Sequence, residues 1–254
     1  MELFDSHCHL DVAEFDVDRA ALLARARAAG VTRIAVPAVD AAGWPALLAL
    51  CRREAGLYPA LGLHPIYIDT HRDRDLDELR RLVAEERPLA IGEIGLDYFV
   101  PGLDRGRQQG LFEAQLRIAA EFSLPVLLHV RKAHDPVLAT LKKMKFTHGG
   151  IAHAFNGSLV QAQQYIELGF RLGFGGMLTY ERSTRLRALA QELPLESLVL
   201  ESDAPDMTPA AHHGERNSPE YLPEVLATLA GLRGMAEEAL AAQLLVNTRD
   251  ALRV

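Results

Sequence analysis

Two histidines one residue apart, His7 and His9, lie near the start of the chain in the segment Asp5-Ser6-His7-Cys8-His9-Leu10-Asp11. The residues just before this segment are typical of the start of a strand. Alternate strand residues point to the same side, about 6.6–6.8 Å apart, so both imidazoles can reach one metal ion while Cys8 faces the other way. The pair alone is equally compatible with two solvated polar residues at a strand end, and the rest of the chain has to decide between the two interpretations.

Apolar runs that could form buried strands alternate with segments of helical periodicity along the chain. The predicted strands are Leu3–Ser6, Arg33–Val39, Tyr58–Leu63, Leu89–Ile94, Pro125–Val130, Gly150–Ala154, Phe170–Phe174 and Leu198–Ser202. Helical periodicity is found in Asp18–Ala29, Leu76–Glu85, Arg107–Glu121, Ser158–Leu168, Thr184–Leu193, Pro219–Leu232 and Ala236–Ala251. This alternation predicts an α/β fold, a single (β/α)8 TIM barrel over residues 1–254. A doubly wound open sheet is the alternative, although no glycine-rich dinucleotide loop follows the first strand.

Metal-competent side chains recur at the carboxyl ends of these strands, which is the end of a barrel where active sites form. Besides the first two histidines, they are His64, Glu93, His129, His153 and Asp203, after or at the ends of strands three, four, five, six and eight. Each residue alone could be a satisfied polar group at a strand end. A whole set at one rim is hard to explain structurally, and it predicts a metal site.

Imidazole and carboxylate ligands without thiolate suit zinc, manganese or magnesium. The set is too large for one tetrahedral ion, so we expect two divalent ions about 3.5–4 Å apart that share a bridging carboxylate. Glu93 is the predicted bridge, because strand four lies between the two groups of histidines. Asp203 is predicted to bind the first ion and to act as the catalytic base that takes a proton from the attacking water.

The overall composition argues against three classes of protein: proteins that coat DNA, membrane-spanning proteins and disulfide-stabilised proteins. A formal charge of −7 argues against a protein that coats DNA stoichiometrically, but it permits a local grip on a few phosphates. No apolar run approaches the roughly 20 residues that span a bilayer. With only two cysteines, Cys8 and Cys51, no disulfide framework is expected. We therefore expect a cytoplasmic protein with no membrane contact and no obligate protein partner.

Six segments together resemble the TatD family of metal-dependent deoxyribonucleases, within the amidohydrolase-like barrels. They are Asp5–Asp11, Gly62-Leu63-His64-Pro65, Gly92-Glu93-Ile94-Gly95-Leu96-Asp97-Tyr98, Leu124-Pro125-Val126-Leu127-Leu128-His129, His153-Ala154-Phe155-Asn156-Gly157-Ser158 and Glu201-Ser202-Asp203-Ala204-Pro205. The resemblance runs nearly from end to end, and it implies hydrolysis of phosphodiester bonds in DNA, often from the 3′ end. It also implies one ion held by His7, His9, Glu93 and Asp203, and a second held by Glu93, His129 and His153.

The chain departs from the family pattern after strand eight, where His212-His213-Gly214-Glu215-Arg216-Asn217-Ser218-Pro219 stands in place of an arginine-rich motif. Glu215 disfavours phosphate binding by that loop. Arg131 is predicted to contact phosphate instead, because a guanidinium can bind phosphate in bidentate fashion; a solvated or ion-paired surface arginine is the alternative. His64 is predicted to bind substrate near the scissile group, and a purely structural histidine is the alternative there.

The favoured function is therefore a metal-dependent hydrolase, a deoxyribonuclease of the 3′–5′ exonuclease type that acts on single-stranded DNA or 3′ ends. The alternative is a two-metal hydrolase of a small ester, lactone or amide, because the ions activate water for either electrophile. A catalytically idle binding protein is a third class, and the intact Asp203 argues against it. The fold alone does not separate these functions.

Overall fold

Eight parallel strands form one sheet in chain order in a computed structural model that describes all 254 residues. They are Leu3–Asp5 (β1), Val31–Pro37 (β2), Leu57–Leu61 (β3), Ala90–Asp97 (β4), Val126–Arg131 (β5), Gly150–Ala152 (β6), Phe170–Phe174 (β7) and Leu198–Leu200 (β8). Each strand from β1 to β7 pairs in parallel with the next along the chain. The (β/α)8 barrel is confirmed, because the open doubly wound alternative requires a reversal of strand order that is absent.

Nine α-helices cover the outside of the barrel. They are Arg19–Ala28 (α1), Trp44–Arg53 (α2), Asp73–Glu86 (α3), Arg105–Glu121 (α4), His134–Lys143 (α5), Leu159–Glu167 (α6), Thr184–Glu192 (α7), Leu222–Arg233 (α8) and Glu237–Leu252 (α9). The sequence periodicity missed α2 and α5, each only ten residues long. None of the helices combines the length and the apolar character that crossing a membrane requires.

Five strands end earlier than their apolar patterns suggest, β1 by one residue and β2, β3, β6 and β8 by two, and the backbone gives a reason in β6 and β8. β6 stops at Ala152 and β8 stops at Leu200, whereas the sequence extends both patterns by two residues. Shortly after these points the backbone enters the left-handed region, with φ of 44° at Ala154 and 57° at Asp203. A residue in that conformation cannot continue a strand, so the chain turns away from the sheet at the positions where the candidate ligands stand.

The inside of the barrel is filled by a small apolar cluster with residues from seven of the eight strands. Its members are Phe4, Ala35, Ala60, Leu89, Ala90, Leu127, Ile151, Val199, Ala251 and Leu252. Residues of opposite strands can share one cluster only inside a closed barrel, and the last two members bring the end of α9 against it. A separate cluster of 57 buried residues packs the outer faces of the strands against the helices, so the barrel is a packed core.

The barrel closes between β8 and β1 through backbone hydrogen bonds. The amide of Ser6 donates to the carbonyl of Leu200 over 3.0 Å, and the amide of Asp203 donates to the carbonyl of His7 over 2.9 Å. Strands eight and one are therefore neighbours, as a closed barrel requires. The closure brings the His-x-His pair beside the carboxylate of Asp203.

The carboxylate of Asp5 reinforces this seam from a fully buried position. It accepts hydrogen bonds from the amide and the hydroxyl of Ser202, over 2.9 and 2.5 Å, and from the amide of His7 over 3.2 Å. The two segments that carry His7 and Asp203 are therefore held by one side chain.

Replacing Asp5 with alanine should lower the free energy of unfolding by about 1–3 kcal/mol, because the buried donors of Ser202 lose their acceptor. Urea unfolding followed by circular dichroism measures the loss. Ser6→Ala is the matched control, since the Ser6 hydroxyl is also buried but has no hydrogen-bond partner; its removal should leave stability unchanged or higher. Equal losses in the two variants would contradict the role given to the Asp5 carboxylate.

Candidate metal centre

A cavity of about 600 Å³ opens at the carboxyl end of the barrel strands. Histidine and carboxylate side chains converge at its base, each carried by a strand or by the residues that follow it. Those that line the cavity wall are His9, His64, Glu93, His129, His153 and Asp203. His7 lies beneath them and is fully buried. The fold thus brings together all seven polar side chains that the sequence singles out at the strand ends.

Glu93 on β4 stands at the centre of this cluster, with 1% of its surface exposed. Its Oε2 lies 3.0 Å from His7 Nε2 and 3.3 Å from His9 Nε2. Its Oε1 lies 2.8 Å from His129 Nδ1 and 3.3 Å from His64 Nε2. Each carboxylate oxygen therefore faces a different pair of imidazoles, which is the arrangement of a bridging carboxylate.

Asp203 and His153 complete the cluster on the side of β8 and β6. Asp203 Oδ1 lies 3.6 Å from His153 Nε2, 3.8 Å from His9 Nε2 and 3.9 Å from His7 Nε2. The rings of His7 and His153 stack with their centroids 3.7 Å apart. The left-handed backbone of Asp203 is unfavourable for a residue with a side chain, and such conformations cluster at functional sites.

The donor set fits divalent cations. Three groups of ligand atoms lie close enough to share an ion: His7 with His9 and Glu93, His64 with Glu93 and His129, and His7 with His153 and Asp203. Ligands of one tetrahedral zinc ion, each at about 2.0–2.2 Å, lie roughly 3.4 Å from one another, close to the spacings found around Glu93. No sulfur joins the set, because the Cys8 thiol faces the carbonyl of Ala204. Nitrogen and oxygen donors of this kind suit zinc or manganese.

The histidines of the cluster fall into two groups by pKa around an ionised carboxylate. Burial lowers the pKa of His7 well below its usual range and lowers that of His64 to about 4, so both rings are neutral at pH 7, as a metal ligand must be. Burial by itself raises the pKa of Glu93, but the neighbouring histidines outweigh it and hold this pKa well below its usual range. Burial also acts to lower the pKa of His9, His129 and His153, but their carboxylate neighbours outweigh it and raise these pKa values, to about 9 for His9 and about 10 for His153. A cation that binds these three rings must therefore displace their protons.

Two further carboxylates hold the histidines in place. Asp97 Oδ2 lies 2.9 Å from His129 Nε2, which leaves Nδ1 of that ring to face Glu93. Glu201 Oε1 lies 3.1 Å from His153 Nδ1 and accepts a hydrogen bond from the amide of Ala154. Carboxylates behind metal-ligating histidines fix the orientation of the ring and raise its basicity. Sequence reasoning missed Asp97, whose only signal was its place at the end of β4.

Gly173 on β7 makes room for the Glu201 carboxylate. A Cβ at position 173 would lie 2.1 Å from Glu201 Oε2, so any larger residue would displace the carboxylate that orients His153. The glycine-rich run at the end of β7 is therefore a site of close packing.

The predicted substrate-binding residues differ in their surroundings. His64 lies among the candidate ligands, with its Nε2 3.1 Å from His129 Nδ1. Arg131 is exposed at the cavity wall, has no carboxylate partner, and lies with its guanidinium 3.7 Å from the centre of the Phe99 ring. Arg216, in the loop after β8, pairs instead with Asp18 over 2.7 Å, so it anchors its loop and leaves the cavity to Arg131.

The division of ligands between two ions is a separate question from their proximity. The resemblance assigns Glu93, His129 and His153 to the second ion. His153 Nε2 lies 4.0 Å from Glu93 Oε1, whereas His64 Nε2 lies 3.3 Å from the same oxygen. The assignment to individual ions therefore stays a prediction.

Histidines and carboxylates gathered at the carboxyl end of a (β/α)8 barrel define a metal-dependent hydrolase. The family model described as TatD related DNase matches residues 4–253. This chain belongs to that family, and it is a TatD-type metal-dependent hydrolase.

Individual relatives agree over their full lengths. The metal-dependent hydrolase YjjV of Escherichia coli K12 is 42% identical over 247 residues, which cover 96% of this chain and 95% of that protein. The crystal structure of YjjV superposes with a TM-score of 0.96 at 40% identity and covers 99% of this chain and 98% of its own. A protein of Pantoea sp. At-9b named 3′-5′ ssDNA/RNA exonuclease TatD is 34% identical over 259 residues, 99% of this chain and all of that protein.

Adding Mn²⁺ or Zn²⁺ to chelator-treated protein should raise its melting temperature, because ions that bind only the folded state stabilise it by about 2.7 kcal/mol at 100 times Kd. Differential scanning fluorimetry measures the shift. Glu93→Gln should lose most of it, since an amide removes the central charge. Glu14→Gln alters an exposed carboxylate of the same cavity and should keep the full shift. A full shift in Glu93→Gln would remove Glu93 from the metal centre.

Proposed function

We propose that this protein is a two-metal phosphodiesterase that removes nucleotides from the 3′ ends of single-stranded DNA. The observation that carries the proposal is the Glu93 carboxylate, whose two oxygens face separate pairs of imidazoles. A relative of the same length bears the name of a 3′-5′ ssDNA/RNA exonuclease, which supports the nucleic-acid substrate over a small ester, lactone or amide. The expected compartment is the cytoplasm, and no protein partner is required for the chemistry.

We assign the metal ligands as the sequence suggested. His7, His9, Glu93 and Asp203 would hold one divalent ion, and Glu93, His129 and His153 would hold the other, with zinc, magnesium or manganese as the candidates. When bound, such ions polarise a phosphoryl oxygen and lower the pKa of the attacking water. The ionised Glu93 carboxylate, with histidines beside both of its oxygens, supports this assignment.

The remaining steps fall to the side chains at the cavity wall. Asp203 takes the proton of the attacking water, a role supported by its place between His153 and the His7–His9 pair. Arg131 grips a non-bridging oxygen of the phosphate with a guanidinium that no carboxylate neutralises. His64, nearly buried beside Glu93, faces the phosphate at the scissile bond and stays neutral because burial lowers its pKa to about 4.

Asp203→Asn should lower kcat for a single-stranded oligonucleotide by at least the about 10²–10⁴-fold typical of losing a general base. The amide keeps the shape and one oxygen donor but cannot take the proton. Steady-state rates at saturating Mn²⁺ measure the effect, and circular dichroism checks that the fold is intact. Asp206→Asn, at an exposed carboxylate of the same cavity, should keep a near-normal kcat. If Asp203→Asn did so too, another group, such as His64, would be the base.

Arg131→Ala should raise KM for an oligonucleotide. It should also reduce the slope of log KM against log salt concentration by about 1, because one phosphate contact is lost. The metal content should not change. Arg74→Ala is the matched control, because Arg74 is exposed on α3 and does not line the cavity. A small carboxyl ester, which lacks phosphate, should be hydrolysed equally by both variants if it is hydrolysed at all. An unchanged KM and salt slope for Arg131→Ala would refute the phosphate contact, and efficient turnover of esters alone would favour the alternative function.

A further inference from the structure

Two aromatic rings stand out because they are exposed. Among nine phenylalanines, six tyrosines and one tryptophan, only Tyr67 and Phe99 are highly exposed, at 45% and 47%. Both lie in loops at the carboxyl end of the barrel, Tyr67 after β3 and Phe99 after β4. Tyr67 lines the cavity directly, and Phe99 adjoins it through Arg131. The exposed aromatic surface of the protein is therefore concentrated at the mouth of the metal centre.

The Phe99 ring is fixed to the metal centre through its backbone. Its amide donates a hydrogen bond of 2.9 Å to Asp97 Oδ1, while Asp97 Oδ2 lies 2.9 Å from His129 Nε2. The backbone of Asp97 is fixed in turn by the buried side chain of Gln108, which accepts from its amide and donates to its carbonyl. These hydrogen bonds fix the backbone of the loop, so the exposed position of the Phe99 ring is determined by the fold.

Tyr67 has a corresponding attachment on the neighbouring strand. It ends the short 3₁₀ turn Pro65–Tyr67, which is capped by His64 Nδ1 through the amide of Ile66 over 3.1 Å. The rings of Tyr67 and His64 meet edge to face with centroids 5.8 Å apart. Tyr67 thus contacts a histidine beside Glu93 directly, and Phe99 is connected to another such histidine through Asp97.

Charge divides the mouth of the cavity into two sides. The guanidinium of Arg131 and the ammonium of Lys132 lie 3.7 and 4.9 Å from the centre of the Phe99 ring, on the side of β4 and β5. The exposed carboxylates Glu14, after β1, and Asp206, after β8, line the cavity on the other side. In an eight-stranded ring, β1 and β8 lie opposite β4 and β5, so cations and aromatic rings face acids across the metal centre.

Resting on the function proposed above, we propose that Tyr67 and Phe99 form a base-stacking site for a single strand that enters over the β3–β5 side. Aromatic rings bind any unpaired base through its π face, and nearby cations follow the phosphate backbone. The bases of a duplex are stacked on one another and cannot use this surface. On the opposite side, Glu14 and Asp206 repel the phosphates of any strand that continues across the metal centre. The bound strand therefore ends just beyond the scissile phosphate, and cleavage begins at a terminus.

The test compares a normal single strand with a strand of the same length that carries abasic nucleotides next to its terminal nucleotide. Phe99→Ala and Tyr67→Ala should each raise KM for the normal strand by about 5- to 150-fold, the equivalent of about 1–3 kcal/mol per stacked base, with kcat nearly unchanged. For the abasic strand, the wild type should already have the higher KM, and the alanine variants should add nothing. Phe99→Tyr and Tyr67→Phe should retain the wild-type KM, because they keep the ring.

Val246→Ala serves as the control for loss of exposed apolar surface, since Val246 is 49% exposed on α9, and it should leave both KM values unchanged. The stacking site would be overturned by a wild-type KM in the alanine variants, or by the same loss on normal and abasic strands. Absence of turnover of any strand by the wild type would overturn the phosphodiesterase instead. In that case, fluorescence anisotropy of labelled strands tests the stacking site independently of turnover, because it measures binding affinity. Tighter binding of the normal strand than of the abasic strand, lost in the alanine variants, supports the site; equal affinity for the two strands refutes it.

Discussion

Burying the ionised carboxylate of Glu93 is the constraint around which the rest of this protein is arranged. An isolated charge inside a protein costs several kcal/mol unless partners surround it. Here the partners are histidines from the segment after β1, from the loop after β3 and from β5, and no short stretch of chain could supply them all. Only a closed ring of parallel strands brings the ends of so many segments to within hydrogen-bond distance of one side chain.

The metal centre depends on the contact between β8 and β1 that closes the barrel. The first and last strands are the farthest apart in the chain, yet they carry the His-x-His pair and Asp203. A single buried carboxylate, Asp5, ties them together. The metal centre therefore depends on a contact between the two ends of the strand order, and a chain that lacks β8 cannot assemble it.

The sequence was sufficient to predict the barrel and the members of the polar cluster, because strand alternation and parallel topology send the carboxyl ends of strands to one rim. The sequence was insufficient for features that depend on the three-dimensional structure, such as strand ends, side-chain distances and exposure. The early ends of β6 and β8 depend on left-handed residues, Ala154 and Asp203, which no local pattern marks. Asp97 could be recognised as a partner of His129 only from the distance between them. The exposure of Phe99 was equally hidden, because an aromatic residue beside a strand normally packs into the core.

Cys8 stands between the two histidines that open the chain, and its orientation has a consequence for the chemistry available at this site. In the segment after β1 its sulfur points away from the cluster toward the carbonyl of Ala204, in a position with no exposed surface. A thiolate among these imidazoles would attract soft ions such as Cu(I) and would be open to oxidation. With the sulfur buried outside the cavity, no thiol lines the metal centre, and the candidate ligands include no side chain that forms a disulfide or a sulfenic acid.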